Sequence, residues 1–284
     1  MRNKTKVIAV AVILVASGAV LAQRKQNDNQ PCDETQLAIN NSNYIILTKM
    51  PPAMPDEGSL TMQFSGKGKL YHYESSGTMS LSHCGRLETR SETGDRDIGD
   101  NKMLRTTIHI KRDQPQGWLM EVAIDGLYKD KTGVDTRHYY TDKQGRITHA
   151  KGQYRVGEEQ REPTTWQYLY DDQNRVIREV MKHADFPADI LIDYYYDIKG
   201  RLAHITEGSR TRLLRWDEKG RWLSSMLQGN AASNTMRFED KCTRWDVVGN
   251  CTVINMWEAD TNRAGTEREM QVNYQIHYQP NSAE

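Results

Sequence analysis

Tyr139-Tyr140-Thr141-Asp142-Lys143-Gln144-Gly145-Arg146-Ile147 has four counterparts further along the chain. They are Tyr168-Leu169-Tyr170-Asp171-Asp172-Gln173-Asn174-Arg175-Val176, Tyr194-Tyr195-Tyr196-Asp197-Ile198-Lys199-Gly200-Arg201-Leu202 and Leu214-Arg215-Trp216-Asp217-Glu218-Lys219-Gly220-Arg221-Trp222, then a degenerate Arg244-Trp245-Asp246-Val247-Val248-Gly249-Asn250-Cys251. The Gly or Asn positions are 145, 174, 200, 220 and 249, so the period is 20 to 29 residues. A period of this size marks a repeat architecture.

Aromatic residues two apart put both rings on one face of a strand. The Asp opens a tight turn, where its carboxylate accepts backbone N–H groups. Three residues on, Gly or Asn takes the left-handed conformation that a type I turn with a bulge needs. Arg and an apolar residue then begin the return strand. Each copy therefore predicts a β-hairpin, and successive hairpins extend one antiparallel sheet. The expected fold is all-β, a repeat-built sheet that is open or curved rather than a closed shell.

Aromatic-x-aromatic-Asp-x-x-Gly-Arg-apolar resembles the tyrosine-aspartate (YD) repeats of Rhs-type bacterial proteins. Glu267-Arg268-Glu269 and Tyr274-Gln275-Ile276-His277-Tyr278 are similar to the closing segment of small exported members. The resemblance covers roughly Tyr139 to Tyr278. In large members such repeats coil into a shell around a toxin. Five copies are too few for a shell, and no toxin domain follows Tyr278, so that role is not carried over.

Upstream, short strands are expected throughout. Tyr44-Ile45-Ile46-Leu47-Thr48 is an apolar run closed by Pro51-Pro52. Ser65-Gly66-Lys67-Gly68 reads as a hairpin turn, and so does Cys84-Gly85. Ser91 to Asn101 reads as an exposed loop, with alternating strands at Leu104 to Ile110 and Trp118 to Ile124. The organisation is a leader over 1–22, a flexible linker over 23–42, an N-terminal β region over 43–137, the repeat sheet over 138–278 and a tail over 279–284.

The leader rests on Arg2, Lys4 and Lys6, an apolar run from Val7 to Leu21, and Val20-Leu21-Ala22 before Gln23. This is the pattern of a cleavable signal peptide, and the run is shorter than the roughly 20 residues a membrane helix needs. Export to the periplasm is expected, with release to the medium as the alternative, and with no membrane span after cleavage. Loss of the leader would leave 35 basic against 38 acidic residues, interleaved along the chain. That balance gives no reason to expect nucleic acid as a partner. Four cysteines in an exported chain read as two disulfides. Cys242 with Cys251 spans a local loop, which leaves Cys32 with Cys84.

No catalytic residue, cofactor or metal site is assigned, because no catalytic or nucleotide-binding motif is present. His183-Ala184-Asp185 has no identifiable nucleophile beside it. The periodic Asp residues suit turns better than calcium loops, which gather several oxygens close together. The aromatic stripe Tyr139, Tyr168, Tyr170, Tyr194, Tyr196, Trp216 and Trp245 is the candidate binding surface, with inter-strand packing as its structural alternative. The expected function is a non-enzymatic periplasmic binding protein that presents a sheet face or edge to an envelope protein or a glycan. An exported hydrolase with a loop-built site, a periplasmic immunity or accessory protein of a toxin system, and a purely structural envelope component are the rival readings.

Overall fold

The computed structural model describes residues 32–52, 58–68, 74–97, 103–113, 117–128, 131–229, 236–260 and 265–280. The leader over 1–22 and the end of the tail lie outside the described residues.

The repeat turns form as their residue order requires. In the first copy Gly145 N donates to Asp142 O at 3.1 Å and Asp142 N to Arg146 O at 3.0 Å. Asp142 Oδ1 accepts from Gln144 N and Arg146 N, and its Oδ2 faces Arg146 Nε at 2.8 Å. Asp171 and Asp197 repeat this pattern, and Asp217 keeps the Arg221 part of it. Gly145, Asn174, Gly200, Gly220 and Gly249 all have positive φ, Asn174 at 61°. Burial pushes the Asp142, Asp197 and Asp217 carboxyls up, but the arginine and backbone donors outweigh it and hold all three below the usual carboxylate range.

The copies are also stitched to one another. Arg146 lies over the Tyr170 ring, Arg175 over Tyr196, Arg201 over Trp216 and Arg221 over Trp245, at 4.7 to 5.9 Å. Each of those aromatics donates a hydrogen bond back to the preceding copy. The acceptors are Ile147 O, Val176 O, Leu202 O and Trp222 O, at 2.7 to 3.0 Å. In the degenerate fifth copy Asn250 replaces the arginine. Tyr278 from the last strand takes over, bonding Asp246 and accepting from Asn250 Nδ2 at 2.7 Å. The same back-bond occurs upstream, where Trp118 Nε1 donates to Leu87 O at 2.8 Å, just after the Cys84-Gly85 turn.

The strands are β1 (Gly58–Gly68), β2 (Glu74–Ser82), β3 (Arg86–Asp97), β4 (Met103–Asp113), β5 (Gly117–Tyr128) and β6 (Lys131–Thr141). They continue as β7 (Ile147–Val156), the two-residue β8 (Glu159–Gln160), β9 (Thr164–Tyr170), β10 (Val176–His183), β11 (Ile190–Tyr196) and β12 (Leu202–Glu207). The last are β13 (Arg210–Trp216), β14 (Trp222–Gly229), β15 (Met236–Trp245), β16 (Cys251–Asp260) and β17 (Arg268–Pro280).

The sheet is closed, which corrects the expectation of an open or curved one. β1 pairs antiparallel with β17 from Gly58↔Pro280 to Gly68↔Met270, and on its other side with β2. Every other strand pairs with its sequence neighbours, and β8 folds only onto β7 while β7 pairs on with β9. The result is a sixteen-stranded up-and-down barrel. Five hairpins supply ten strands, and β1 to β5 with β17 supply the remaining six. Closure leaves no edge strand among the sixteen described strands of the barrel, and only the two-residue β8 keeps a free side. Two local readings fail with it. The expected turn over Ser65 to Gly68 is the end of β1, and most of the expected loop over Ser91 to Asn101 belongs to β3.

The linker and first strand are also corrected. Glu34 to Thr48 is a helix, α1 (Glu34–Thr48), N-capped by Asp33, which accepts from Gln36 N at 2.6 Å, and ended by Lys49 at φ 56°. Tyr44, Ile45, Ile46 and Leu47 are all buried, so its last turn is apolar on every side. A helix of this kind belongs inside the barrel. It is anchored by the Cys32–Cys84 disulfide, and Cys242–Cys251 bridges β15 and β16, both as expected.

The wall is sorted by period two. In β17, Met270, Val272, Tyr274, Ile276 and Tyr278 turn inward, and Glu269, Gln271, Asn273, Gln275, His277 and Gln279 turn out. In β4 the outward set includes Arg105, His109 and Lys111. Ile147 and Val176, which open the return strands of two copies, are 0% exposed. The outer face of these strands is polar and their inner face apolar, whereas β9, β10, β11 and β13 also expose Leu169, Ile177, Leu191, Tyr195 and Leu213 on the outside. Barrels that cross membranes have the opposite arrangement, an outward apolar band flanked by aromatic girdles.

Candidate functional site

The helix is fixed at the end of the barrel that carries the repeat turns. Asn43 Nδ2 donates to Gly145 O at 2.8 Å, and Asn43 Oδ1 accepts from Ile147 N at 3.0 Å. Ser42 makes the equivalent pair with Asn174 O and Val176 N in the second copy. Asn40 Nδ2 donates to Cys84 O at 2.8 Å. Polar side chains inside the helix therefore satisfy turn groups that would otherwise be buried without partners. Further in, Lys49 bonds Glu179, and Tyr194 OH accepts from Lys49 Nζ and donates to Glu179 Oε2, both at 2.9 Å.

The helix does not fill the lumen. A cavity of about 640 Å³ runs along the inner faces of β13 to β17 and of β1 to β3. Met62, Met79, Phe238, Met256, Met270 and Ile276 form much of its wall. It extends along β13 from Arg210 to Trp216, roughly 20 Å at the rise of a strand. Trp222 also lines it, and its buried indole N–H has no hydrogen-bond partner among the described residues.

Its charged lining is specific. Arg90 and Glu92 are paired at 2.5 Å and nearly enclosed. Arg212 Nη1 lies 3.4 Å from Asp240 Oδ2, which also accepts from Ser225 Oγ at 3.0 Å. Burial pushes the Asp240 carboxyl above the usual range, with Arg212 and Ser225 pulling it back. Arg210 stands at the start of β13, away from the repeat turns, without a carboxylate partner among the described residues. Glu207 lies across from it in register but makes no ion pair with it.

A second cleft, of about 800 Å³, lies between the start of α1 and the repeat turns at Asn174, Gly200 and Gly220. It is lined by turn residues whose polar groups are mostly engaged in the repeat network.

The aromatic stripe shares one face, as its spacing predicts, but that face is the inside of the barrel. Tyr139, Tyr168 and Tyr194 are buried, and Tyr170, Tyr196, Trp216 and Trp245 pack against the same core. Burial pushes the Tyr139 hydroxyl up to about 12. A solvent-facing platform is therefore ruled out for these seven residues, and Trp216 alone among them lines the 640 Å³ cavity. The outward rings are others, with Tyr140 stacked on His149 at 4.7 Å and Tyr195 on His204 at 4.2 Å. Arg90, Glu92, Arg210, Arg212 and Asp240 escaped the sequence reading. The available signal was charge at every second position of a strand, on the same parity as buried apolar residues.

His83 lies 3.4 Å from Cys32 Sγ, and with Cys84 the three could gather around a metal. The two sulfurs are bonded to each other, which leaves no thiolate to act as a ligand. His183 and Asp185 meet only within their own turn, where Asp185 N donates to His183 Nδ1 at 3.0 Å.

No family model matches the sequence, and no curated protein matches it. Among solved structures, a porin-like protein from Bacteroides uniformis is similar, with a TM-score of 0.48 at 13% identity. The match covers 80% of this chain and 99% of that one. A likeness at that level identifies neither a family nor a function.

Proposed function

We propose that this chain is a non-enzymatic binding protein of the periplasm that keeps its outer wall in water and holds a ligand in its lumen. The observation that carries the reading is the largely apolar cavity of about 640 Å³ left beside the helix, with a few charged side chains in its wall, within the range of about 300–1,000 Å³ typical of ligand sites. Two disulfides fit an oxidising compartment. The leader and the YD-like repeats belong to the same proposal: export delivers the chain, and the repeat turns build the frame that seats the helix.

A hydrolase reading finds less support. Ser225 donates to Asp240, but no imidazole joins them among the described residues of the cavity. A pore reading meets two obstacles, since strands such as β4 and β17 turn polar residues outward and α1 occupies the interior.

The test uses the mature chain, from Gln23, purified without detergent, with lipid vesicles and a fluorescent apolar probe. The protein is expected to stay in the aqueous fraction on vesicle flotation and to bind the probe saturably, one per chain, with energy transfer from Trp216 and Trp222. Flotation with the vesicles, or no saturable binding, overturns the proposal.

A further inference from the structure

The lumen cavity carries an imbalance of charge. Lys49, Arg90, Arg210 and Arg212 line it against Glu92 and Asp240. Glu92 is committed to Arg90, and Glu179 holds Lys49 from outside the cavity lining. Asp240 divides itself between Arg212 at 3.4 Å and Ser225 at 3.0 Å. Arg210 is left without a carboxylate partner among the described residues. It sits two residues from Arg212 on one strand, so both point to the same side. Trp216, at the other end of that strand, closes the cavity toward the repeat turns.

Resting on the lumen-binding reading above, we infer that the ligand is an anionic amphiphile, an acyl chain with a carboxylate or phosphate head. The head is held by Arg210 and Arg212, and the chain lies along Met62, Met79, Met256 and Met270. Arginine presents a planar fork that matches either head bidentately. Methionine is unbranched and adaptable, which suits a flexible chain better than a rigid ring system. A glycan or nucleotide needs directional polar partners along its length, whereas several of the polar groups here are already paired with one another, Arg90 with Glu92 and Asp240 with Arg212 and Ser225. An uncharged lipid leaves Arg210 unanswered.

The probes are dansylundecanoate and its methyl ester, titrated against the full mature chain by fluorescence. The acid is expected to bind about tenfold tighter than the ester, the ratio that one charge-assisted contact is worth. Arg210→Gln should erase most of that preference, and Arg210→Lys should keep part of it. Because Arg210 is exposed at a strand end, neither change threatens the fold. Competition by palmitate and by hexadecyl phosphate then separates the two head groups, the stronger competitor naming the source. Equal binding of acid and ester, unchanged by Arg210→Gln, overturns the head-group assignment and leaves lumen binding standing. Failure of both probes to bind overturns both.

Discussion

Tyr194→Ala is expected to destabilise the protein by about 3–5 kcal/mol, the cost of deleting a fully buried aromatic ring, while Tyr195→Ala next to it costs less than about 1 kcal/mol. Tyr194 is 2% exposed inside the barrel, bonded to Lys49 and Glu179. Tyr195 is 44% exposed on the outer wall, where it meets only the His204 ring among the rings described. For a chain of this size each kcal/mol moves the melting temperature by about 2–4 °C. The pair should therefore differ by roughly 4–20 °C in a thermal melt followed by circular dichroism. A barrel turned inside out, with its aromatic stripe to solvent or lipid, gives the reverse order.

Removing Cys32–Cys84 by paired serine substitution is expected to cost about 4 kcal/mol, from the loop-closure entropy of a bridge whose ends are 52 positions apart. Removing Cys242–Cys251, with ends 9 apart, should cost about 2.6 kcal/mol on the same reckoning. The two variants should also fail differently. The first frees the mooring of α1, so hydrogen exchange should rise over Glu34 to Thr48 and at Ile147 and Val176, whose amides bond Asn43 and Ser42. The second should leave that region protected. Equal stability losses with unchanged exchange in α1 would show that the helix holds its place without the bridge.

Much of the frame was legible in the residues. The Asp and the Gly or Asn of each copy, and the Arg of the first four, have one job in the turn, and local chemistry of that kind survives any tertiary context. Both disulfides followed from spacing. Two features were not legible, for physical reasons. Asn40-Asn41-Ser42 reads as linker, and Asn43 as the start of a strand region, because such side chains compete with a helix backbone. Here Asn40, Ser42 and Asn43 are instead aimed at turn groups of other segments, a use visible only once those turns are assembled. Ser65-Gly66-Lys67-Gly68 reads as a turn because of its glycines. Gly66 is a strand residue pressed against its neighbours, where a Cβ would come within 3.0 Å of Val272. That close approach belongs to the seam with β17, so the residue that looked like a turn marks the closure of the barrel. The inward direction of the aromatic stripe follows from closure too. An open sheet leaves both faces available, and a closed one commits the rings of one parity to the inside, leaving Leu169 and Tyr195 outside.

The central claim is that a ligand sits inside the barrel rather than on it, and photo-cross-linking tests this most directly. The mature chain is saturated with a long-chain fatty acid carrying a diazirine near its tail, irradiated, and digested for peptide mapping. Adducts are predicted on lumen residues of β1, β2, β16 and β17, Met62, Met79, Met256 and Met270 among them, and to be lost in competition with palmitate. Adducts confined to outward side chains such as Leu169, Leu191 and Tyr195, with none in the lumen, would contradict it.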